Sequence, residues 1–280
     1  MSRYTVGIVG RDSKPHRRCF EDHASAMSAA LRAIGHDVVP FTDGKPGRLI
    51  MFGANSMNDP YGYMPEDAIL FNAEQVATMR VSDPLLRNLD TYRKRVIWDY
   101  SAANAAKLRG AGFERVVHCP VGYIPSMTKI PPASVENIDV LFIGSMSERR
   151  KEILLKLINA GLKVERLFNI YGDERDAYIA RAKVVLNLHF YEPSIFEMFR
   201  VSHLLANRKC VVTEDGGHDL ELESFAQRAC VYTGTAGIVE RCREMVADER
   251  ARVQAAARGF AEFKKLDLVS YVRCALEGSQ

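Results

Sequence analysis

Several things are missing from this chain, and each absence narrows what it can be. No stretch approaches the ~18 unbroken apolar residues of a membrane-spanning helix. The opening MSRYTVGIVG has no basic segment followed by a long apolar run, so no secretory signal is read there, and a cytoplasmic protein is expected. The six cysteines, Cys19, Cys119, Cys210, Cys230, Cys242 and Cys274, form no C-x-x-C pair and have no histidine at metal-ligand spacing. They read as free, mostly buried thiols in a reducing compartment, and no bound metal is expected. There is no three-glycine G-x-G-x-x-G fingerprint, in VGIVGRD or elsewhere, which weakens a nicotinamide oxidoreductase reading. Neither a short internal repeat nor a low-complexity tract is present. The formal net charge of +3 is too mild to argue for nucleic acid or a membrane surface, although local basic patches could still bind phosphate.

What is present is ordinary for a globular α/β protein: 280 residues, 47% apolar and 26% charged. Short apolar runs, YTVGIVG (4–10), HDVVPF, RLIMFGA (48–54), DAILFNAE (67–74), KRVIWDY (94–100) and ERVVHCP (114–120), read as strands. A helix is expected in HASAMSAALRAIG (23–35), with Gly35 placed to end it. Alternating strand and helix predicts a parallel sheet covered on both faces. Residues 120–138, PVGYIPSMTKIPPASVENI, hold four prolines and no helical period. A linker at 126–138 is therefore expected between an N-terminal domain, 1–125, and a C-terminal domain, 139–280, whose last helix can pack back on the first domain. The pattern restarts with DVLFIGSMSERRKEILLKLINAGLKV, in which Ser145 and Glu148 read as a capping box. Ile153, Leu154, Leu157 and Ile158 fall on one helix face there, and Gly161 ends the helix. Further strands are expected at 164–171, 184–190, 210–214 and 230–233, and a long helix at about 236–260. The economical architecture is two Rossmann-like halves.

Chemistry concentrates in the second half. A strand, a Gly144–Ser145 turn and a helix N-terminus together present free backbone N–H groups, with Arg149, Arg150 and Lys151 nearby. That is either a phosphate site or an ordinary βα turn with a solvated face. Tyr171 and Gly172 mark another strand end, followed by Asp173, Glu174 and Asp176 as helix-capping acids. Asn187 and His189 share one face of a strand near its C-terminal end, where open α/β sheets bind ligands; a satisfied core histidine is the alternative. Glu197 and Arg200 stand three apart in a largely apolar helix, where they either neutralise each other or serve a ligand: the carboxylate a diol, the arginine a phosphate.

The motifs FNAEQV (71–76), WDYSAANAAKL (98–108), CPVGYIP (119–125), DVLFIGSMSERR (139–150), YGDERD (171–176), VLNLHFYE (185–192) and FEMFRVSHLLANRKCVVTE (196–214) occur in one order over most of residues 70–215. In this run the chain resembles a bacterial and viral glycosyltransferase-like family, and its second half resembles the donor-binding domain of GT-B glycosyltransferases. The resemblance implies two Rossmann-like domains with parallel sheets facing across a cleft. It also implies a nucleotide-sugar donor, a glycan or other hydroxyl acceptor, and catalysis without a metal. Carried over, Gly144, Ser145 and Arg149 face the diphosphate, Glu197 the ribose or sugar, and Arg200 supports that site. The usual pair of glutamates eight apart is absent, since eight beyond Glu197 stands Leu205; Glu192 and Glu214 are further candidates for the ribose.

Transfer of a sugar requires stabilising a departing nucleoside diphosphate and, in an inverting enzyme, deprotonating the acceptor hydroxyl. The lack of a D-x-D element agrees with the first being done by helix dipoles and basic residues. Candidates for the base are Asp12, His16 and Glu74, while a retaining mechanism needs none. The alternative function is a non-catalytic nucleotide or nucleotide-sugar binding module, which would keep the phosphate turn without a working base.

Overall fold

The computed structural model describes residues 1–9, 15–40, 47–53, 65–78, 92–190 and 194–279, without the side chains of residues 15 and 16. It divides into two compact units, Met1–Ser126 with Asp267–Gln280, and Met127–Leu266.

Unit 1 is built on a six-stranded sheet, β1 (Arg3–Ile8), β2 (Asp37–Val38), β3 (Arg48–Phe52), β4 (Ile69–Asn72), β5 (Val96–Asp99) and β6 (Arg115–His118), in the order β2-β1-β3-β4-β5-β6. Every neighbouring pair is parallel. β3, β4 and β5 read as unbroken apolar runs because their side chains are buried on both sides of the sheet. Helix α1 (Glu21–Ile34) packs Ala26, Met27, Ala30 and Leu31 inward and stops at Gly35, whose φ of 97° is cheap only for glycine. Helix α2 (Ala102–Gly110) follows β5 and is capped by the Ser101 side chain, which accepts from the Asn104 amide.

Unit 2 contains β7 (Ile138–Ile143), α3 (Glu148–Asn159), β8 (Val164–Leu167), α4 (Gly172–Arg181), β9 (Ala182–Asn187), α5 (Met198–Ala206), β10 (Cys210–Glu214), α6 (Leu220–Ala229), β11 (Val231–Thr233), α7 (Ile238–Ala247) and α8 (Glu249–Lys264). Its sheet runs β11-β10-β9-β7-β8, again with every pair parallel. One face of that sheet is closed by a cluster that includes Phe142, Leu154, Leu157, Leu186 and Val212. Elsewhere in the unit Phe196, Phe225 and Phe263 meet edge to face, at 6.3 and 6.5 Å between ring centroids.

Four local expectations are corrected. Ser147, not Ser145, caps α3, accepting from the Arg150 amide, because the turn after β7 runs two residues further before the helix begins. Ile158 is half exposed rather than part of the buried stripe. The long helix near 236–260 is two helices: the Asp248 side chain takes the Ala251 amide and starts α8 afresh. Asp176 does not cap α4. It is buried one turn in, accepting from Arg175 at 2.6 Å and lying 2.9 Å from Nε2 of His203.

The last helix, α9 (Leu268–Glu277), packs on α1 within unit 1. It brings Ser279 under the sheet, where the fully buried Trp98 indole donates to Ser279 Oγ at 2.8 Å. Removing that acceptor leaves a buried N–H unsatisfied. Ser279→Ala is therefore expected to lower the unfolding free energy by about 1–2 kcal/mol, read by chemical denaturation.

Candidate functional site

The C-terminal ends of β7, β9 and β10 carry the side chains of interest, placed beside the N-termini of α3 and α5. Gly144 follows β7 with φ of 156°, a conformation that residues with a side chain rarely adopt. Its own N–H continues the ladder to Leu167 O at 3.0 Å, so it is not the open donor expected there. The open donors come next: among the described residues, the amides of Ser145, Met146 and Ser147 meet no protein acceptor. The missing Cβ at Gly144 matters more. At the point it would occupy, Arg150 Nη1 and Arg200 Nη2 each lie 3.5 Å away, with the Phe142 ring edge at 3.4 Å. Two guanidinium groups thus border a small space at the mouth of an amide-lined turn.

Arg150 is buried and is held in place by carbonyls alone: Ser145 O at 2.8 Å, His189 O at 3.1 Å and Leu188 O. Its cation also lies 5.2 Å from the Phe142 ring and 5.1 Å from Phe190. Burial first, and then the neighbouring charges of Arg200 and Arg149, pull its pKa down to about 10 although Glu197 and Glu214 oppose them.

Glu197 and Arg200 do not behave as a simple helix-face pair. Glu197 is the residue before α5, and Asn187 stands between the two: its amide Nδ2 donates to Glu197 Oε2 at 2.9 Å, and its Oδ1 accepts from Arg200 Nη1 at 2.9 Å. Asn187 Nδ2 also donates to Thr213 Oγ1 across the β9–β10 ladder. His189 Nδ1 lies 2.9 Å from the same Glu197 oxygen. One carboxylate oxygen, Oε2, is thereby fixed by two partners.

Arg149 is placed differently from the expectation that it faces phosphate. Its guanidinium forms a two-point pair with Glu214, which is buried at the end of β10, and also donates to Thr235 Oγ1 at 3.0 Å. Glu214 in addition accepts from the His189 amide. Glu214 thus anchors the floor of the site through Arg149 and the His189 amide.

Beyond it lies Glu223, which no sequence pattern singled out. It accepts from the Gly216 amide at 3.1 Å and from Tyr232 Oη at 2.6 Å. A Cβ on Gly216 would come within 2.7 Å of Glu223 Oε1 and 3.1 Å of His189 Nε2, a buried nitrogen with no hydrogen-bond partner among the described residues.

Burial opposes charge on His189, but the Glu197 hydrogen bond and the charges of Glu197, Glu214 and Glu223 outweigh it and raise its pKa above 6.5. Burial likewise opposes the Glu197 carboxylate, and His189, Arg200 and Asn187 together hold its pKa below 4.5. The signs define a window. The Glu197 contribution is present above its unfolded pKa and lost as pH falls through its lower folded value. The His189 contribution is complete below its unfolded pKa and lost as pH rises through its higher folded value. A His189→Gln variant is therefore expected to lose most stability relative to wild type near pH 5–6. The gap should narrow toward higher pH, as read from denaturation midpoints across the range.

The remaining expected site residues lie elsewhere. Tyr171 and Gly172 open α4 beyond the C-terminal end of the edge strand β8. In unit 1, Glu74 is half buried in the loop after β4, its carbonyl accepting from Asn72 Nδ2 at 3.1 Å and Asn104 Nδ2 at 2.7 Å. His16 falls in the short 3-10 helix Pro15–Phe20, but its side chain lies outside the described ones, as do residues Asp12 and Glu192 altogether.

Two parallel α/β units with this strand order have the GT-B fold of glycosyltransferases. Among solved structures, HepE of Anabaena in complex with UDP-glucose superposes with a TM-score of 0.63 at 12% identity, covering 99% of both chains. The T4 phage BGT in complex with UDP and Mn2+ gives 0.63 at 11% identity over 99% of both. WaaG, a glycosyltransferase involved in lipopolysaccharide biosynthesis, gives 0.62 at 12% over 98% of both. No family model matches the sequence. Uncharacterized protein L140 of Acanthamoeba polyphaga mimivirus is 32% identical over 158 residues, 54% of this chain and 50% of that protein. Uncharacterized protein L137 of the same virus is 26% identical over 165 residues, 55% of this chain and 21% of that protein. The chain thus spans half or less of the length of these curated relatives. No helix among the described residues is long and apolar enough to cross a membrane.

Proposed function

We propose that this protein is a glycosyltransferase that moves a sugar from a nucleoside-diphosphate sugar to an acceptor hydroxyl, with unit 2 holding the donor and no metal taking part. The observation that carries the reading is the pair of guanidinium groups, Arg150 and Arg200, bordering the side-chain-free space at Gly144 beside the open amides of Ser145–Ser147. Such an arrangement suits a diphosphate. It would stabilise the charge that builds on the leaving group as the glycosidic bond breaks, using dipoles and cations already in position.

Glu197, steadied by Asn187 and His189, would take hydroxyls of the ribose or sugar through its remaining oxygen. Arg149 has a supporting role, since its charge is matched by Glu214. In an inverting reaction the acceptor proton would pass to a carboxylate or imidazole of unit 1, for which Glu74, His16 and Asp12 stay the candidates. HepE and BGT, which share the fold, were solved with UDP-glucose and UDP, which makes a uridine nucleotide the first donor to try.

The test is hydrolysis of UDP-, GDP-, dTDP- and CMP-sugars by wild type, Glu197→Ala and Glu74→Ala. Release of sugar by wild type from one donor, lost in Glu197→Ala, supports the transferase. Binding of a donor with no turnover, for every acceptor supplied, would instead favour a nucleotide-sugar binding module.

A further inference from the structure

A second concentration of guanidinium groups lies in unit 2, away from the strand ends that carry the candidate site. A groove of about 760 Å³ runs along the edge strand β11, between the C-terminal end of α6 and the helices α7 and α8. Val231 and Met245 are among its apolar lining residues, and three arginines from three helices line it: Arg228 of α6, Arg241 of α7 and Arg258 of α8. The lining holds a single carboxylate, Glu262. Arg228 and Arg241 each meet one carboxylate, Glu262 and Glu244, and among the described residues Arg258 meets none, so the lining keeps a net positive charge that an anion would offset.

Two of the three arginines also have structural work. Arg258 donates to the carbonyls of Arg228 at 3.0 Å and Cys230 at 3.3 Å, closing the end of α6. Arg228 donates to Ser224 Oγ at 2.6 Å and to Glu262 at 3.3 Å. Neither bond set uses the whole guanidinium: Arg258 Nη1 and Arg228 Nη2 keep their donors among the described residues. Arg241 has no comparable structural task. Among the described residues its one polar partner is Glu244, one turn along its own helix and outside the groove lining, in an exposed i,i+3 pair of the kind that contributes a few tenths of a kcal/mol. Its Nε and Nη2 remain for a ligand. Arg258, tied to two carbonyls, is the fixed member of the three, and the half-exposed Arg228 and Arg241 can turn their unused donors toward phosphate oxygens.

We propose that this groove is a second anion site, separate from the one at Gly144, and that it binds a ligand carrying two or more phosphate charges. The site lies beyond the donor-binding reading and does not depend on it.

Calorimetric titration with pyrophosphate tests it, using Arg200→Ala protein at concentrations where binding at the weakened Gly144 turn is negligible. The expected result is one remaining site in Arg200→Ala, weakened roughly tenfold by adding Arg241→Ala and weakened in wild type by raising the salt concentration. Arg241 is exposed, so its variant should melt with its parent. If both anion sites exist, wild type takes up two pyrophosphates. If only the groove site exists, wild type and Arg200→Ala each take up one, which separates failure of the donor reading from failure of this one. A parallel arm sediments the same proteins with phosphatidylcholine vesicles with and without phosphatidylglycerol. Arg241-dependent capture by the anionic vesicles would assign the phosphate to a lipid headgroup, and pyrophosphate binding without capture to a free ligand. No binding in either arm by Arg200→Ala protein, or binding that Arg241→Ala leaves unchanged, would overturn the proposal.

Discussion

Glu214→Ala is expected to lower the unfolding free energy by about 3 kcal/mol and the melting temperature by roughly 10 °C. Glu214 is 1% exposed and accepts from the Arg149 guanidinium at two points, from the His189 amide and from Thr235. Truncation leaves a buried main-chain N–H without its acceptor and an arginine without its counter-charge. Arg149 keeps a quarter of its side chain exposed, so part of that charge can turn to water, and the loss stays at the lower end of the range for a broken buried pair. Glu214→Gln keeps an acceptor oxygen and should cost less. A Glu214→Ala protein that melts with wild type would show that the pair contributes little and that the floor of the site is held by packing instead.

The second large effect falls on binding. Arg200→Ala is expected to weaken the affinity for a nucleoside diphosphate by about 30-fold or more, with little change in melting temperature. Arg200 is only partly buried, and it does two things at once: it presents Nη2 over Gly144, and through Nη1 it holds the Asn187 side chain that in turn holds Glu197. Arg200→Lys separates the two. A lysine restores a positive charge but not the planar fork that reaches Gly144 and Asn187 together, so it should recover only a part of the affinity. Equal binding by Arg200→Ala and wild type would remove this arginine from the site. Calorimetry with UDP reads all three proteins.

Much of the architecture was legible because parallel strands covered on both sides are unbroken apolar runs. RLIMF, VIWD and CVVTE declare themselves without any partner in view. Gly35 and Gly161 likewise mark helix ends by a conformation that only glycine adopts cheaply.

What local spacing does not show has a common source. Ser145 and Ser147 both stand in reach of a helix start, and local spacing does not say which residue the chain turns at. Arg149 looked like a phosphate ligand because its partner, Glu214, lies 65 residues away and becomes a neighbour only when β10 is laid beside β9. Glu197 and Arg200 were legible as a pair by spacing. The amide of Asn187 that joins them was not, since it arrives from the end of another strand. Glu223 sits in the amphipathic LELESF and looks like one more surface acid until α6 turns it inward toward Gly216 and Tyr232.

The central claim is that the turn after β7, with Arg150 and Arg200 above Gly144, receives the diphosphate of a nucleotide. The most direct measurement is a crystal structure of the protein with UDP. The account predicts phosphate oxygens within hydrogen-bond reach of the amides of Ser145–Ser147 and of Arg200, with a ribose hydroxyl on the unshared oxygen of Glu197. Clear density for UDP elsewhere in the protein, with the turn at Gly144 unaltered, would contradict it.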